Sequence, residues 1–212
     1  AVMGMSFGLE HALWFAGSKD KAEETPTFRR SNAFAHVAEE VKAVREHVGM
    51  IEIANYAKHE FKGPGAEAFL DRILAGKLPK TGRLALTPML TPKGKLYGDL
   101  TIARLDDDTF MLFGSGAAQE MHRRWFEMHM PGEGITYRNK TDELYGFAIS
   151  GPKSRTLLSR LTRDDVSNAA LKFRDIRRVV LADVPVILTR VSFSGELGYE
   201  IYCAPQFHMR LF

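Results

Sequence analysis

The sequence has a single cysteine, Cys203, among its 212 residues. No disulfide can form within the chain, and the thiol's place in an apolar, strand-like run predicts a buried, inert group in a reducing compartment. No apolar run approaches the roughly 20 residues that cross a bilayer. The first residues also lack a basic-then-apolar signal pattern, so a cytosolic or matrix location with no membrane partner is expected. There is no block of like charge either: 29 basic and 26 acidic residues are spread along the chain and leave a net charge of +3. That balance argues against nucleic acid and suits a small anionic molecule. A dinucleotide loop is missing as well. Gly114-Ser115-Gly116 lacks the third glycine and the acid expected about 20 positions on, so Ser115 reads instead as a helix cap or a hydroxyl that meets a ligand. His36 and Glu40 share a helix face but have no third ligand at a fixed spacing, which argues against a metal.

What the chain does have is a composition that is 45% hydrophobic, enough for a sizeable core. Residues 1–33 divide into an irregular stretch, in which Phe7, Trp14 and Phe15 are expected to pack elsewhere, and a polar linker from Gly17 to Asn32. From residue 34 the patterns are regular. Asn32 is placed to cap a helix whose stripe of Phe34, Val37, Val41, Val44 and Val48 ends at Gly49. A strand over Met50–Phe61 leads through Gly63-Pro64-Gly65 into a helix, and a strand over Leu144–Ser150 leads through Gly151-Pro152 into another. Two such units predict an internal duplication. A strand-to-helix passage at Thr109–Met130 carries His122 and His129 on what reads as a solvated surface. Strand-like runs follow in RRVVLADVPVILTRVSF and Tyr199–Cys203. The hairpins exclude an all-parallel sheet, so the fold class is α+β with mixed or antiparallel sheets and packed helices. The last residues, an apolar helix starting after Pro205, read as the edge of a longer polypeptide.

Two acids stand out. In LALTPMLTPKGKLYGDLTIARL, residues 84–105, two alternating apolar runs flank a turn at Pro92, Lys93 and Gly94, a β-hairpin pattern. Asp99 follows Gly98, whose missing side chain would let a ligand approach the strand; a strand-edge acid that only solubilises the sheet is the plainer alternative. In FSGELGYEI, residues 193–201, Glu196 and Glu200 lie among Gly195, Gly198 and Tyr199. A carboxylate fixed on a strand accepts two parallel N–H bonds from a planar amidine-like edge, such as the 2-amino and ring N–H groups of a pterin. Solvent-facing acids on a hairpin are the alternative there. Arg83, Lys93, Lys95 and Arg190 read as solvated cations within reach of an anionic tail.

The segments HVGMIEIANYAKHEFKGPGAEAFL, TPMLTPKGKLYGDLTIARL, FAISGPKSRTLL and RVSFSGELGYEIY, in that order and with comparable spacing, resemble the tetrahydrofolate-binding module of the aminomethyltransferases. That family includes the T-protein of the glycine cleavage system and the folate domains of dimethylglycine and sarcosine dehydrogenases. FGLEHALWFAG is similar to the segment joining the flavin and folate parts in the dehydrogenase branch. The resemblance implies a T-protein-like folate-binding domain over residues 34–212, lacking its C-terminal part. It places Asp99 at the second acid of the family's Gly-Gly-x-x-Asp-Asp-Leu motif, the catalytic aspartate, and Gly98 at the first, as in dehydrogenase-type members. Glu200 matches the glutamate that grips the pterin, with Glu196 in the turn before it and Tyr199 beside it. Leu86 and Phe193 stand where relatives often have tyrosine, and Ser115 where asparagine is common, so apolar walls remain and polar handles are fewer. The implied activity is transfer of a one-carbon unit from an amine donor such as dimethylglycine, sarcosine or an aminomethyl carrier to tetrahydrofolate. FAD would come only from further sequence or a flavin oxidoreductase partner. A folate-dependent demethylase and a non-catalytic folate-binding module are the two rivals.

Overall fold

Among the described residues, runs with a period of two form twelve strands, and segments with helical spacing form five α-helices. The computed structural model describes residues 1–6, 8–17 and 20–212. Its elements are β1 (Val2–Ser6), β2 (Leu9–Trp14), α1 (Phe34–Glu46), β3 (Gly49–Glu52), β4 (Ala57–Lys62), α2 (Ala66–Ile73), β5 (Arg83–Leu90), β6 (Leu96–Asp106), β7 (Thr109–Gly114) and α3 (Gln119–His129). They continue with β8 (Thr136–Asn139), β9 (Tyr145–Ser150), α4 (Ser154–Ser159), β10 (Ile176–Leu181), β11 (Val184–Thr189), β12 (Gly198–Cys203) and α5 (His208–Leu211). The first two strands form a separate hairpin. The other ten form two antiparallel sheets of five, β5-β6-β7-β4-β8 and β10-β11-β12-β9-β3.

The expected duplication is visible in this order. Each half supplies a strand, a Gly-led helix and a three-stranded meander, β4-α2-β5-β6-β7 and β9-α4-β10-β11-β12. The strand that opens each half is exchanged: β3 pairs with β9 of the second half, and β8 pairs with β4 of the first. The glycine after the second strand of each half has the same left-handed backbone, φ +125° at Gly63 and +127° at Gly151. A Cβ at either would meet a carbonyl oxygen at 2.4–2.5 Å, so the turn into each helix tolerates no side chain.

Burial sorts the molecule into four layers. On the outer face of the first sheet, Phe61, Leu100, Ile102, Phe110 and Leu112 pack against Phe69 and Leu70 of α2 and Phe126 of α3. On the outer face of the second, Ile149, Leu188, Tyr199, Ile201 and Cys203 pack against Leu158 of α4. Between the sheets, Leu84, Ala103, Met111 and Phe113 meet Ile176 and Tyr202. Each large side chain so buried contributes roughly 1.5–3 kcal/mol. The β5 and β10 edges are stitched by Leu84 N–H to Arg174 C=O at 2.8 Å and Ile176 N–H to Gly82 C=O at 3.0 Å. The same seam carries the Arg83–Asp175 ion pair, and the other Asp175 oxygen accepts the Lys172 N–H at 2.6 Å. Removing that buried carboxylate leaves a backbone donor and a guanidinium without partners. Asp175→Ala is therefore expected to cost about 2–3 kcal/mol, read as a lower denaturant midpoint at unchanged slope.

Several sequence expectations change. Residues 1–16 are not irregular but largely a hairpin, in which Trp14 packs with Val2 and Ala33. Phe15 is exposed, and Phe7 lies outside the described residues. Asn32 does not cap α1. Its side chain accepts the Thr25 N–H and donates to the Glu23 carbonyl, both at 2.9 Å, which closes the preceding loop. None of the thirteen residues of α1 is buried. The run Met50–Phe61 is two strands in different sheets, separated by a turn at residues 53–56. Arg83 and Arg190 are committed internally, the latter donating to the Leu171 carbonyl at 2.8 Å.

Candidate functional site

The hairpin of β5 and β6 has the expected turn, with Gly94 at φ +71° and Thr91 N–H bonded to Lys95 C=O at 2.8 Å. Side-chain parity sets which of its residues face the second sheet. On β6, Leu100 and Ile102 face α2 and α3, so Asp99, Thr101 and Ala103 face the other sheet. On β5, Leu84 and Leu86 share that inner face, and Leu86 lies directly opposite Thr101. The β6–β7 pairing sets Thr101 opposite Phe113, and two residues further the same register would set Ser115 opposite Asp99. Exposure rises sharply along this face, from 4% at Leu84 to 69% at Leu86, and from buried Ala103 through half-buried Thr101 to exposed Asp99. The two sheets therefore close on each other at one end and part at the other, and Asp99 lines the open end.

Glu200 lies on the facing sheet. Within β12, Tyr199, Ile201 and Cys203 point to the outer core, so Glu200 and Tyr202 point inward. Glu200 sits between Thr189 of β11 and Ala148 of β9, and Ile51 of β3 continues the row at 68% exposure. The Tyr202 ring stacks on Phe113 across the layer, centroids 4.9 Å apart, and its hydroxyl donates to Glu200 Oε2 at 2.8 Å. A continuous inner surface thus runs from Asp99 through Thr101, Phe113 and Tyr202 to Glu200. Burial pushes the Glu200 carboxyl above its ordinary range, opposed by the Tyr202 hydroxyl, the charge of Lys58 and the nearby Thr189 hydroxyl. Thr189 Oγ1 is itself buried without a well-formed hydrogen bond. Tyr202 and Tyr56 are both pushed up, chiefly by burial and then by the Glu200 charge.

Other expected residues fall differently. Tyr199 is fully buried on the opposite face of β12, because neighbours on a strand point apart, so it does not join Glu200. Glu196 is half-buried in the turn before β12, its carboxyl lowered by the Ser194 hydroxyl and its own amide. Phe193 is fully exposed in the same segment. Ser115 is exposed and makes no side-chain cap, the next turn being closed by Ala118 N–H to Ser115 C=O at 3.1 Å. Gly98 does not admit a ligand. A Cβ there would lie 2.8 Å from His122 Nε2 and 3.2 Å from Met89, so the glycine serves the close approach of α3. His122 is accordingly buried rather than solvated, beside buried His59, whose Nδ1 meets the Tyr137 hydroxyl at 2.9 Å. Burial and then His122 pull His59 down to about 4. Two concavities, of about 410 Å³ along β10–β12 and about 570 Å³ beside Glu67, hold neither Asp99 nor Glu200.

A buried residue that sequence reading missed completes the cluster. Lys58 on β4 lies opposite Phe113 and is 0% exposed. Its ammonium donates to the carbonyls of Ala54 and Tyr56, each at 2.8 Å, and stands 5.9 Å from the centroid of the Tyr202 ring. In the second half the corresponding position is Gly146, opposite Tyr202, where a Cβ would strike that ring at 2.9 Å. The only sequence signal was a lysine at an inward parity position of β4.

The class defined by these features is a duplicated, two-sheet α+β module with a carboxylate on each facing sheet. Comparison with known proteins agrees. The whole chain, residues 1–212, matches the model of the GCVT N-terminal domain. It is 36% identical over 203 residues to mitochondrial dimethylglycine dehydrogenase of Rattus norvegicus, covering 94% of this chain and 24% of that protein. It is 31% identical over 170 residues to the aminomethyltransferase of Chloroherpeton thalassium, covering 78% of this chain and 46% of that protein. The crystal structure of the glycine cleavage system aminomethyltransferase T from Bartonella henselae superimposes with a TM-score of 0.79 at 20% identity, covering 99% of this chain and 51% of that one. The chain belongs to the GCVT aminomethyltransferase family. It spans about a quarter of the length of the dimethylglycine dehydrogenases that it matches. Among the described residues no helix is long and apolar enough to cross a membrane.

Proposed function

We propose that this chain is the folate-binding part of a one-carbon transferase of the dimethylglycine or sarcosine dehydrogenase type. The observation that carries the reading is the placement of Asp99 and Glu200 on facing sheets along one inner surface that opens to solvent at Asp99. The residues fit a pterin. Glu200 is an acceptor on a rigid strand, and the Thr189 hydroxyl on the neighbouring strand offers a further polar contact. Thr101 and Leu86 line the way between this grip and Asp99. Ser115 follows the end of β7, on the side where the β6–β7 register runs out toward Asp99, while Phe193 and Glu196 flank the entry to β12.

Tetrahydrofolate, when bound, supplies the nitrogens that take up the one-carbon unit, and it leaves as 5,10-methylenetetrahydrofolate. Glu200 fixes the heterocycle by accepting two N–H bonds from one edge. Asp99 orients the attacking nitrogen, takes the proton that it loses once the new C–N bond has formed, and stabilises the cationic one-carbon group nearby. The donor is a small amine such as dimethylglycine or sarcosine, or an aminomethyl carrier. Its oxidation, where needed, falls to a flavin module outside residues 1–212. A non-catalytic folate-binding module is the second reading, favoured by the apolar Leu86 and Phe193 at positions that would otherwise carry hydroxyls.

Titration of the full-length protein with tetrahydrofolate and with 5-formyltetrahydrofolate, followed by calorimetry, tests the shared premise. Saturable binding of either is the expected result. Silence from both would remove the folate reading altogether.

A further inference from the structure

Lys58 takes no part in the proposed transfer, yet its position is costly. An ammonium with no exposure keeps its charge only where the surroundings compensate. Two carbonyls of the β3–β4 turn compensate here, and they use two of the three ammonium protons. The charges that act on it are those of Asp142 in the turn before β9, Glu52 of β3 and Glu200 of β12, and the Tyr202 ring lies beside it. Of these, Glu200 is tied to the lysine through an intervening side chain: the ammonium stands over one face of the Tyr202 ring, and the hydroxyl of that ring holds Glu200 Oε2.

We propose that Lys58 is a positioning residue for the site: its clamped, buried ammonium keeps the Glu200 carboxylate ionised and, through Tyr202, aimed at the donor edge of the ligand. This rests on the reading of Glu200 as the acid that grips the pterin. Ionisation matters because a protonated carboxyl presents an O–H to an edge made of N–H donors, so one of the two bonds becomes a clash of donors. Burial works against the charged form of Glu200, and the Lys58 charge and Tyr202 hydroxyl work for it. The support has an upper limit, because burial pulls Lys58 itself down to about 8. The molecule places the lysine in one half only, the half that faces Glu200, while the duplicate position holds Gly146.

The test uses Lys58→Met and Lys58→Arg in the full-length protein. Affinity for 5-formyltetrahydrofolate is measured across pH, and protonation of Glu200 is followed without ligand through its carboxyl infrared band, assigned by its loss in Glu200→Gln. In Lys58→Met the Glu200 titration and the acid limb of binding are expected to move up by about one pH unit, a tenfold loss of affinity on that limb. The deficit should vanish once pH rises above the shifted Glu200 titration, where the carboxylate is ionised in both proteins. Lys58→Arg should restore both. A loss of affinity equal at every pH, with the Glu200 band unmoved, would overturn the proposal and leave a merely structural clamp. A moved band in a protein that binds no folate would uphold the positioning and overturn the folate reading instead. Should Lys58→Met not fold, Tyr202→Phe breaks the same link, and an unmoved Glu200 band there overturns the proposal equally.

Discussion

Asp99→Asn is expected to lower folate-dependent one-carbon transfer by about 10²–10⁴-fold, the range for removal of a positioned acid–base group, while binding of 5-formyltetrahydrofolate is retained. The side chain is exposed at the open end of the inter-sheet layer, and the backbone bonds of β6 to β5 do not involve it. The amide therefore keeps the shape of the site and removes the base. Single-turnover transfer from an amine donor, measured beside equilibrium binding, separates the two effects. Unaltered transfer would remove Asp99 from the reaction and favour the non-catalytic folate-binding module.

Glu200→Gln should have the opposite profile, with folate affinity falling by about 10²–10³-fold as two charge-assisted bonds, worth roughly 1.5–3 kcal/mol each, are exchanged for one neutral bond and one facing donor. Stability should not fall with it. A carboxyl whose folded pKa is raised binds protons more readily in the folded than in the unfolded chain. Its contribution to stability therefore declines as pH rises from the ordinary carboxyl value to the raised one. Glutamine is neutral throughout that window and can still accept the Tyr202 hydroxyl. Its melting temperature at neutral pH should match or exceed that of the wild type. Calorimetric titration and thermal unfolding of one preparation check both parts, and a large loss of stability would mark Glu200 as a structural acid.

Much of this architecture is legible from spacing. The hairpin around Lys93-Gly94, the two Gly-Pro entries into helices and the inward parity of Glu200 each depend on residues within a few positions of one another. The misreadings share one cause. The stripe of α1 has helical spacing, yet Phe34, Val37 and Val41 stay exposed among the described residues, and only its C-terminal end, at Val48, packs on the second-sheet core. Asn32 has the chemistry of a cap and spends it on the loop behind it. His122 looks solvated beside two arginines, but the missing side chain of Gly98 draws α3 down onto β6 and buries it. Local pattern describes what a side chain is able to do, and the competitor that claims it can lie far along the chain.

By itself the sequence determined the α+β class, the hairpin around Lys93-Gly94 and the repeated Gly-Pro entries into helices, because periodicity and turn chemistry act over short stretches of backbone. Only the tertiary structure decided that β3 and β8 exchange sheets and that the Tyr202 ring seats on Phe113. The same packing hides a charged Lys58 behind Glu200. Those outcomes depend on which distant surfaces bury each other, and the free energy of that burial is not written in the spacing of any one segment.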